Sequence, residues 1–199
     1  MSSSRADPRK RRGKRKEPKR AGYWALLRAV PRTVARGGFR GLTYRALAAE
    51  AGVTNGLISY HFGTREALIE DAAKLAVEEA IVGSALHPES GDLDDFAGGL
   101  TRLIREDAEG QAFQFDLVTE SLRNDKLRPP VADLYSRYIR AVEDALGEFG
   151  LNDDPALSRV VFAALDGLVL QQLIFRDEAQ TEAAIARLRL LLAAEMATS

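Results

Sequence analysis

Residues 42–68 read LTYRALAAEAGVTNGLISYHFGTREAL, and the spacing within them decides the fold. Thr43 stands where a Ser/Thr side chain can accept the unpaired N–H groups of a helix start, ahead of Leu47 and Ala48. The first helix stops at Ala51-Gly52-Val53, because glycine takes the left-handed conformation that ends a helix within one residue. Thr54 is then expected to cap a second helix. On that helix Ile58 and Phe62 lie four apart and face inward, leaving Asn55, Gly56, Ser59 and Tyr60 as a small or polar surface. Two short helices joined in this way are the pattern of a helix-turn-helix, whose second helix lies in the DNA major groove.

The series Thr43, Arg45, Leu47, Ala48, Ala51, Gly52, Val53, Thr54, Gly56, Ile58, Tyr60, His61, Phe62, Arg65 and Leu68 resembles the DNA-binding signature of the tetracycline-repressor (TetR-like) family of transcriptional regulators. The resemblance covers roughly the N-terminal third of the chain. It implies a homodimeric, all-helical repressor with a DNA-reading head and a larger ligand-sensing body. By the same resemblance Asn55, Gly56 and Ser59 face base edges, Tyr60, His61 and Arg65 face phosphate oxygens, and Arg45 reaches either; Thr43 and Thr54 complete the DNA-binding set. The chemistry suits those places, since Asn can bond adenine through two hydrogen bonds, Arg can do so to guanine, and Gly56 permits close backbone approach. For His61, packing on the core is the competing assignment.

Three departures from the family pattern carry expectations. Ser59 stands where a Tyr is usual, which removes an aromatic surface for a thymine methyl and thins the base reading. Arg65 stands where a Lys is frequent and keeps the charge. Pro31 and Thr33 fall where the family has apolar residues, and Pro31, lacking an N–H, is expected to kink its helix.

Charge is segregated along the chain. Residues 1–20 hold ten Lys/Arg against Asp7 and Glu17, a net +8, so the other residues carry −9 within a total of −1. Almost without apolar side chains, that first segment is expected to be a disordered arm lying along phosphates or entering a minor groove. Such an arm raises affinity and salt sensitivity without adding much sequence information.

Residues 22–37 form a helix with Leu26, Leu27, Val30 and Val34 on one face, closing a three-helix core with Trp24 in it or at its edge. Gly37 and Gly38 end it. Thr64 begins a long helix to about Leu86 that belongs to both halves and is the natural lever between them. The expected organisation is an arm over residues 1–20, a helix-turn-helix domain over 21–70, and an effector-binding and dimerisation domain over 71–199. In the last of these, helices are expected from Asp92 to about Ala108, from Gln111 to Arg123, from Pro129-Pro130 to Gly147, over Asp153 to Phe175 and over Glu178 to Met196. No useful strand-like alternation occurs, so the fold class is all-α.

The last two helices carry more apolar surface than one small domain needs, and the family resemblance makes them a four-helix dimer interface. Walls for an effector are expected from Phe96, Leu100, Leu103, Phe113, Leu117, Val118, Tyr135, Tyr138, Phe162 and Leu165, with Gln114, Glu120 and Asp166 as polar anchors. The same residue types fill ordinary cores. Such walls favour a lipophilic or aromatic ligand over a sugar or phosphate.

Other classes are disfavoured. With no Cys and only His61 and His87, neither a disulfide nor a metal site is expected, which suits a reducing cytoplasm. No phosphate-cradling Gly loop or Ser–His–Asp pattern suggests an enzyme, and no cofactor is implied. No apolar run approaches the roughly 18 residues that span a bilayer, and the basic start lacks the apolar core of a secretory signal. The alternative that remains is a sequence-indifferent DNA-organising protein driven by the basic arm.

Overall fold

The structure, a computed structural model, describes residues 16–151 and 154–197, with side chains from residue 20 onward. Among these residues the regular structure is entirely helical: α1 (Lys16–Gly41), α2 (Tyr44–Ala51), α3 (Asn55–Phe62), α4 (Arg65–Ser84), a 3-10 turn (Leu93–Asp95), α5 (Leu100–Glu106), α6 (Ala108–Ser121), α7 (Arg128–Glu148), α8 (Pro155–Phe175) and α9 (Glu178–Met196). The chain divides into two compact units between Ala72 and Ala73, the head and the body, with residues of α4 in each.

In the head, Leu26, Leu27, Val30 and Val34 of α1 are buried, as are Leu47, Ile58, Leu68 and Ile69 from the other three helices. At Gly22 α1 lies close to α3, and a Cβ there would come 2.4 Å from the Leu57 Cδ2 and oblige that side chain to move. Charge also joins α1 to α2. Arg32 Nε donates to one Glu50 oxygen at 2.7 Å and Arg36 to the other, and the Arg32 hydrogen bond chiefly holds that carboxyl below its usual range. The α2 start is capped by Thr43 Oγ1, which accepts the Ala46 N–H at 3.2 Å. Gly52 then takes the left-handed φ of 66° and donates to the Ala48 and Ala49 carbonyls, the device by which the chain turns.

Several expectations for the head need correction. Pro31 sits inside α1, but the non-helical dihedrals fall at Gly38 (φ 61°, ψ −175°), so the break follows the residue that tolerates positive φ. Thr54 has the extended backbone of a cap, yet its hydroxyl makes no cap hydrogen bond. Trp24 agrees with expectation: 40% exposed and edge-on against Tyr23, it lies at the rim of the core. Helix α1 begins at Lys16, inside the segment expected to be disordered; residues 1–15 of that arm lie outside the described residues.

The body is built on α7 and α8. Val131, Leu134, Ala141, Val142, Ala145 and Leu146 recur at helical spacing on α7, whose prolines occupy the first turn where missing N–H groups leave no bond unmade. Val161, Phe162, Leu165 and Val169 form the buried face of α8, and Thr181 of α9 donates to the buried Gln172 of α8 at 2.6 Å. The single helix expected over 92–108 is instead a 3-10 turn, a left-handed Ala97 (φ 56°) and the short α5. Backbone contact with the end of α4 replaces the helical ladder. Ala97 N–H bonds the Ala85 carbonyl at 3.0 Å and Gly99 N–H the Ser84 carbonyl at 3.1 Å, while a Cβ at Gly99 would stand 2.2 Å from the Gly83 oxygen. By length and composition α8 is apolar enough to cross a membrane, contrary to the expectation from runs of residues. Its Val161, Phe162, Leu165 and Val169 are buried in the body's helical core, and 33% of its most apolar stretch is buried in all.

Candidate nucleic-acid interface and effector cavity

The interface is what the head leaves outside once its core is satisfied. Ile58 (0% exposed) and Phe62 fix the rotation of α3, so Asn55, Gly56, Ser59 and Tyr60 are all turned to solvent beside Thr54. Thr43 and Arg45, at the start of α2, are exposed as well. A Cβ at Gly56 would meet nothing within 4 Å, so the space over that residue is open to a partner. Thr43 uses its oxygen in capping and keeps its O–H to donate.

Two members of the expected set are placed differently. Arg65 Nε donates to the Leu42 carbonyl at 3.1 Å and Nη2 to the Phe39 carbonyl, which clamps the loop ahead of α2 from the first turn of α4. The guanidinium is half-buried with two backbone acceptors, contacts that the sequence, showing only its charge, did not reveal. His61 is packed rather than presented. Its ring lies edge-on to Tyr23 (5.5 Å between centroids) and Tyr60 (5.0 Å), and its Nε2 is buried without a hydrogen bond. Tyr23, which sequence reasoning passed over, is the hub of this cluster: it also stacks on Phe62 at 5.1 Å and donates to Asp71 at 3.1 Å. Burial, then the Asp71 contact, raises its pKa.

The body holds a partly open cavity of about 60 Å³, walled by α4, α5, α6, α7 and α8. Of the expected residues, Leu100, Leu103, Gln114, Val118, Tyr135, Tyr138, Phe162, Leu165 and Asp166 line it. Phe96, Phe113, Leu117 and Glu120 do not; the first three are buried in the core. Helix phase explains the division on α6, where Gln111, Gln114, Phe115 and Val118 follow one i, i+3, i+4, i+7 face and Phe113 and Leu117 the other. Both faces carry apolar side chains, so periodicity does not say which one meets a void. Other walls missed in the sequence are Ala80, Ser84, Leu86, Leu134, Val142 and Val169.

Few polar groups face this space, and most are satisfied within the wall. Tyr138 donates to Gln114 Oε1 at 2.6 Å, and Tyr135 donates to Asp166 Oδ2 at 3.3 Å. Burial raises the pKa of Asp166, and burial with the nearby Asp166 charge pushes Tyr135 up to about 12. Tyr138 is raised too, first by burial. The rings are ordered: Tyr138 stacks on Phe162 at 5.5 Å and Tyr135 meets it edge-on at 5.2 Å. Gln111 brings an amide nitrogen that is buried without a well-formed hydrogen bond, although its side chain favours the charged form of Asp107.

Comparison with known proteins agrees with both halves. A family model of bacterial regulatory proteins, tetR family, matches residues 26–72, and one of the tetracyclin repressor-like C-terminal domain matches residues 91–194. No curated protein matches the chain. Among solved structures it is similar to a TetR-family member, SCO1917, from Streptomyces coelicolor A3, with 30% identity over 84% of this chain and 97% of that one and a TM-score of 0.62. A TetR-family transcriptional regulator from Rhodococcus sp. is 25% identical over 88% and 98% of the two chains, with a TM-score of 0.72. The multidrug binding protein EbrR in complex with ethidium is 30% identical over 84% and 98%, with a TM-score of 0.59. With a helix-turn-helix where the first family model matches and a helical body where the second spans more than half of the sequence, the chain belongs to the TetR family of DNA-binding transcriptional regulators.

Proposed function

We propose that the protein is a cytoplasmic repressor that binds a palindromic operator as a homodimer and is released by a small, largely apolar or aromatic effector held in the body. The cavity carries this reading, because ordinary cores are close-packed and leave few voids larger than a water molecule. That EbrR is complexed with ethidium supports an aromatic occupant. In the head, Asn55, Gly56 and Ser59 read bases, and Thr43, Arg45, Thr54 and Tyr60 meet the DNA backbone. Arg65 and His61 hold that surface in place from behind.

Dimerisation is assigned to α8 and α9. Val160, Leu170, Ile174 and Phe175 on the one and Leu190 and Leu191 on the other are each more than 40% exposed, an apolar surface of the kind that marks an association site. A two-fold dimer sets two recognition helices one DNA turn apart, roughly 34–36 Å.

Release follows from the size of the cavity. A dry void of about 150 Å³ is enough to admit benzene, so an aromatic effector needs more room than this cavity of about 60 Å³ offers and binds best to a wider conformation. Helix α4, which contributes Leu68 and Ile69 to the head's core and Ala80 and Ser84 to the cavity wall, is the element able to carry the change. An effector that weakens operator binding tenfold supplies about 1.4 kcal/mol of coupling, and DNA weakens the effector by the same factor.

The test is selection from a random duplex pool at near-physiological salt. Enrichment of a palindrome, bound two chains at a time, is expected. Binding that enriches nothing and fades smoothly with salt would instead assign the activity to the basic arm.

A further inference from the structure

The cavity contains one carboxylate and no base. Its wall is aliphatic and aromatic except for Ser84, Gln111, Gln114, two tyrosines and Asp166, and no Lys, Arg or His lines it. Asp166 receives the Tyr135 hydroxyl at 3.3 Å, and among the described residues no cation forms an ion pair with it. Asp166 is partly buried, and a carboxylate partly withdrawn from water is stabilised by a proton or by an opposite charge. The raised pKa of Asp166 agrees with an unmet charge.

We infer that the cavity takes a lipophilic organic cation, with the Asp166 carboxylate as its counter-charge and the rings of Tyr135, Tyr138 and Phe162 around its apolar body. This rests on the effector-cavity reading above and adds the sign of the ligand's charge to it. An anion would face Asp166 without a single basic side chain to offset the repulsion. A neutral aromatic fits the wall but leaves the carboxylate as poorly compensated as before. An inorganic ion is disfavoured, since divalent cations require several oxygen ligands and no group of three His, Cys, Asp or Glu side chains converges among the described residues. An organic cation satisfies both demands at once: its charge pairs with Asp166, and its apolar body meets aromatic rings whose faces attract positive charge.

A matched pair of probes separates charge from shape: 10-methylacridinium, permanently cationic, and acridine, uncharged at about pH 8. Titrated into the full chain without DNA, the cation is expected to bind about tenfold or more tightly than acridine, a preference of ~1.4 kcal/mol. Asp166→Asn should erase that preference while leaving acridine's affinity within about twofold, which also certifies that the variant cavity is intact. Equal binding of the two probes, or a preference that survives Asp166→Asn, would overturn the cation assignment and leave the effector cavity standing. If neither probe binds the parent chain, the effector-cavity reading itself falls, and this inference with it.

Discussion

The head and the body put apolar residues to opposite uses. In the head, Leu26, Leu47, Ile58 and Phe62 are consumed in packing, and function is assigned to the exposed polar remainder of α2 and α3. In the body, Tyr138, Phe162 and Leu165 both pack and wall the cavity. A surface site is legible by subtraction, because what a small core does not need must serve something else. A cavity is made of the same residues as the core around it, and only their placement tells them apart.

The sharpest test of that contrast lies within α6. Phe113→Ala removes a fully buried ring and should destabilise the body by about 3–5 kcal/mol, whereas Phe115→Ala, on the cavity side, should cost clearly less in urea denaturation while altering probe affinity. Equal losses of stability for the two would mean that the cavity face is ordinary core.

Arg65 tests the boundary between bracing and contacting DNA. Loss of its two carbonyl partners on Arg65→Ala should lower the head's stability by roughly 1.5–3 kcal/mol, and Lys, without the planar fork, should not restore it. A phosphate-contacting side chain would behave otherwise: stability would be untouched in both variants, and the salt slope of DNA binding would fall by about one.

Asn55→Ala should separate binding from folding most cleanly. An exposed side chain at the start of α3 predicts stability within about 0.5 kcal/mol of the parent. Operator affinity should drop by about 1–3 kcal/mol, with relaxed preference at one base pair. A melting temperature that falls along with affinity would contradict the assignment.

The smallest effect expected is on the pH dependence of folding. Because the folded pKa of Asp166 is raised, the native state holds more protons than the unfolded chain between the unfolded value of about 3.9 and the higher folded value. Its contribution to stability is therefore present below that window and is lost as pH rises through it. Asp166→Asn should flatten this part of the urea-midpoint profile in the ligand-free protein, and an unchanged profile would show that the carboxylate is adequately solvated.

Much of the head was readable from residues 42–68: the Thr43 cap, the left-handed Gly52 and the inward pair Ile58 and Phe62 are local devices whose partners lie within a few residues. The intramolecular contacts of His61 and Arg65 were not legible there, because their partners, Tyr23 and the carbonyls of Phe39 and Leu42, lie more than twenty residues away. The break in the helix after Asp92 was hidden for a similar reason, since the carbonyls that replace its ladder, those of Ser84 and Ala85, come from the end of α4 and the residue after it.

By itself, then, the sequence determined the helical class, the helix-turn-helix and its polar face, because helical period, caps and glycine turns act through neighbours along the chain. Tertiary structure alone decided which face of α6 meets the cavity, that Tyr23 organises the aromatic cluster, and that Asp166 stands there without a base. Those outcomes depend on how distant helices are rotated against one another, and composition and period are blind to that rotation.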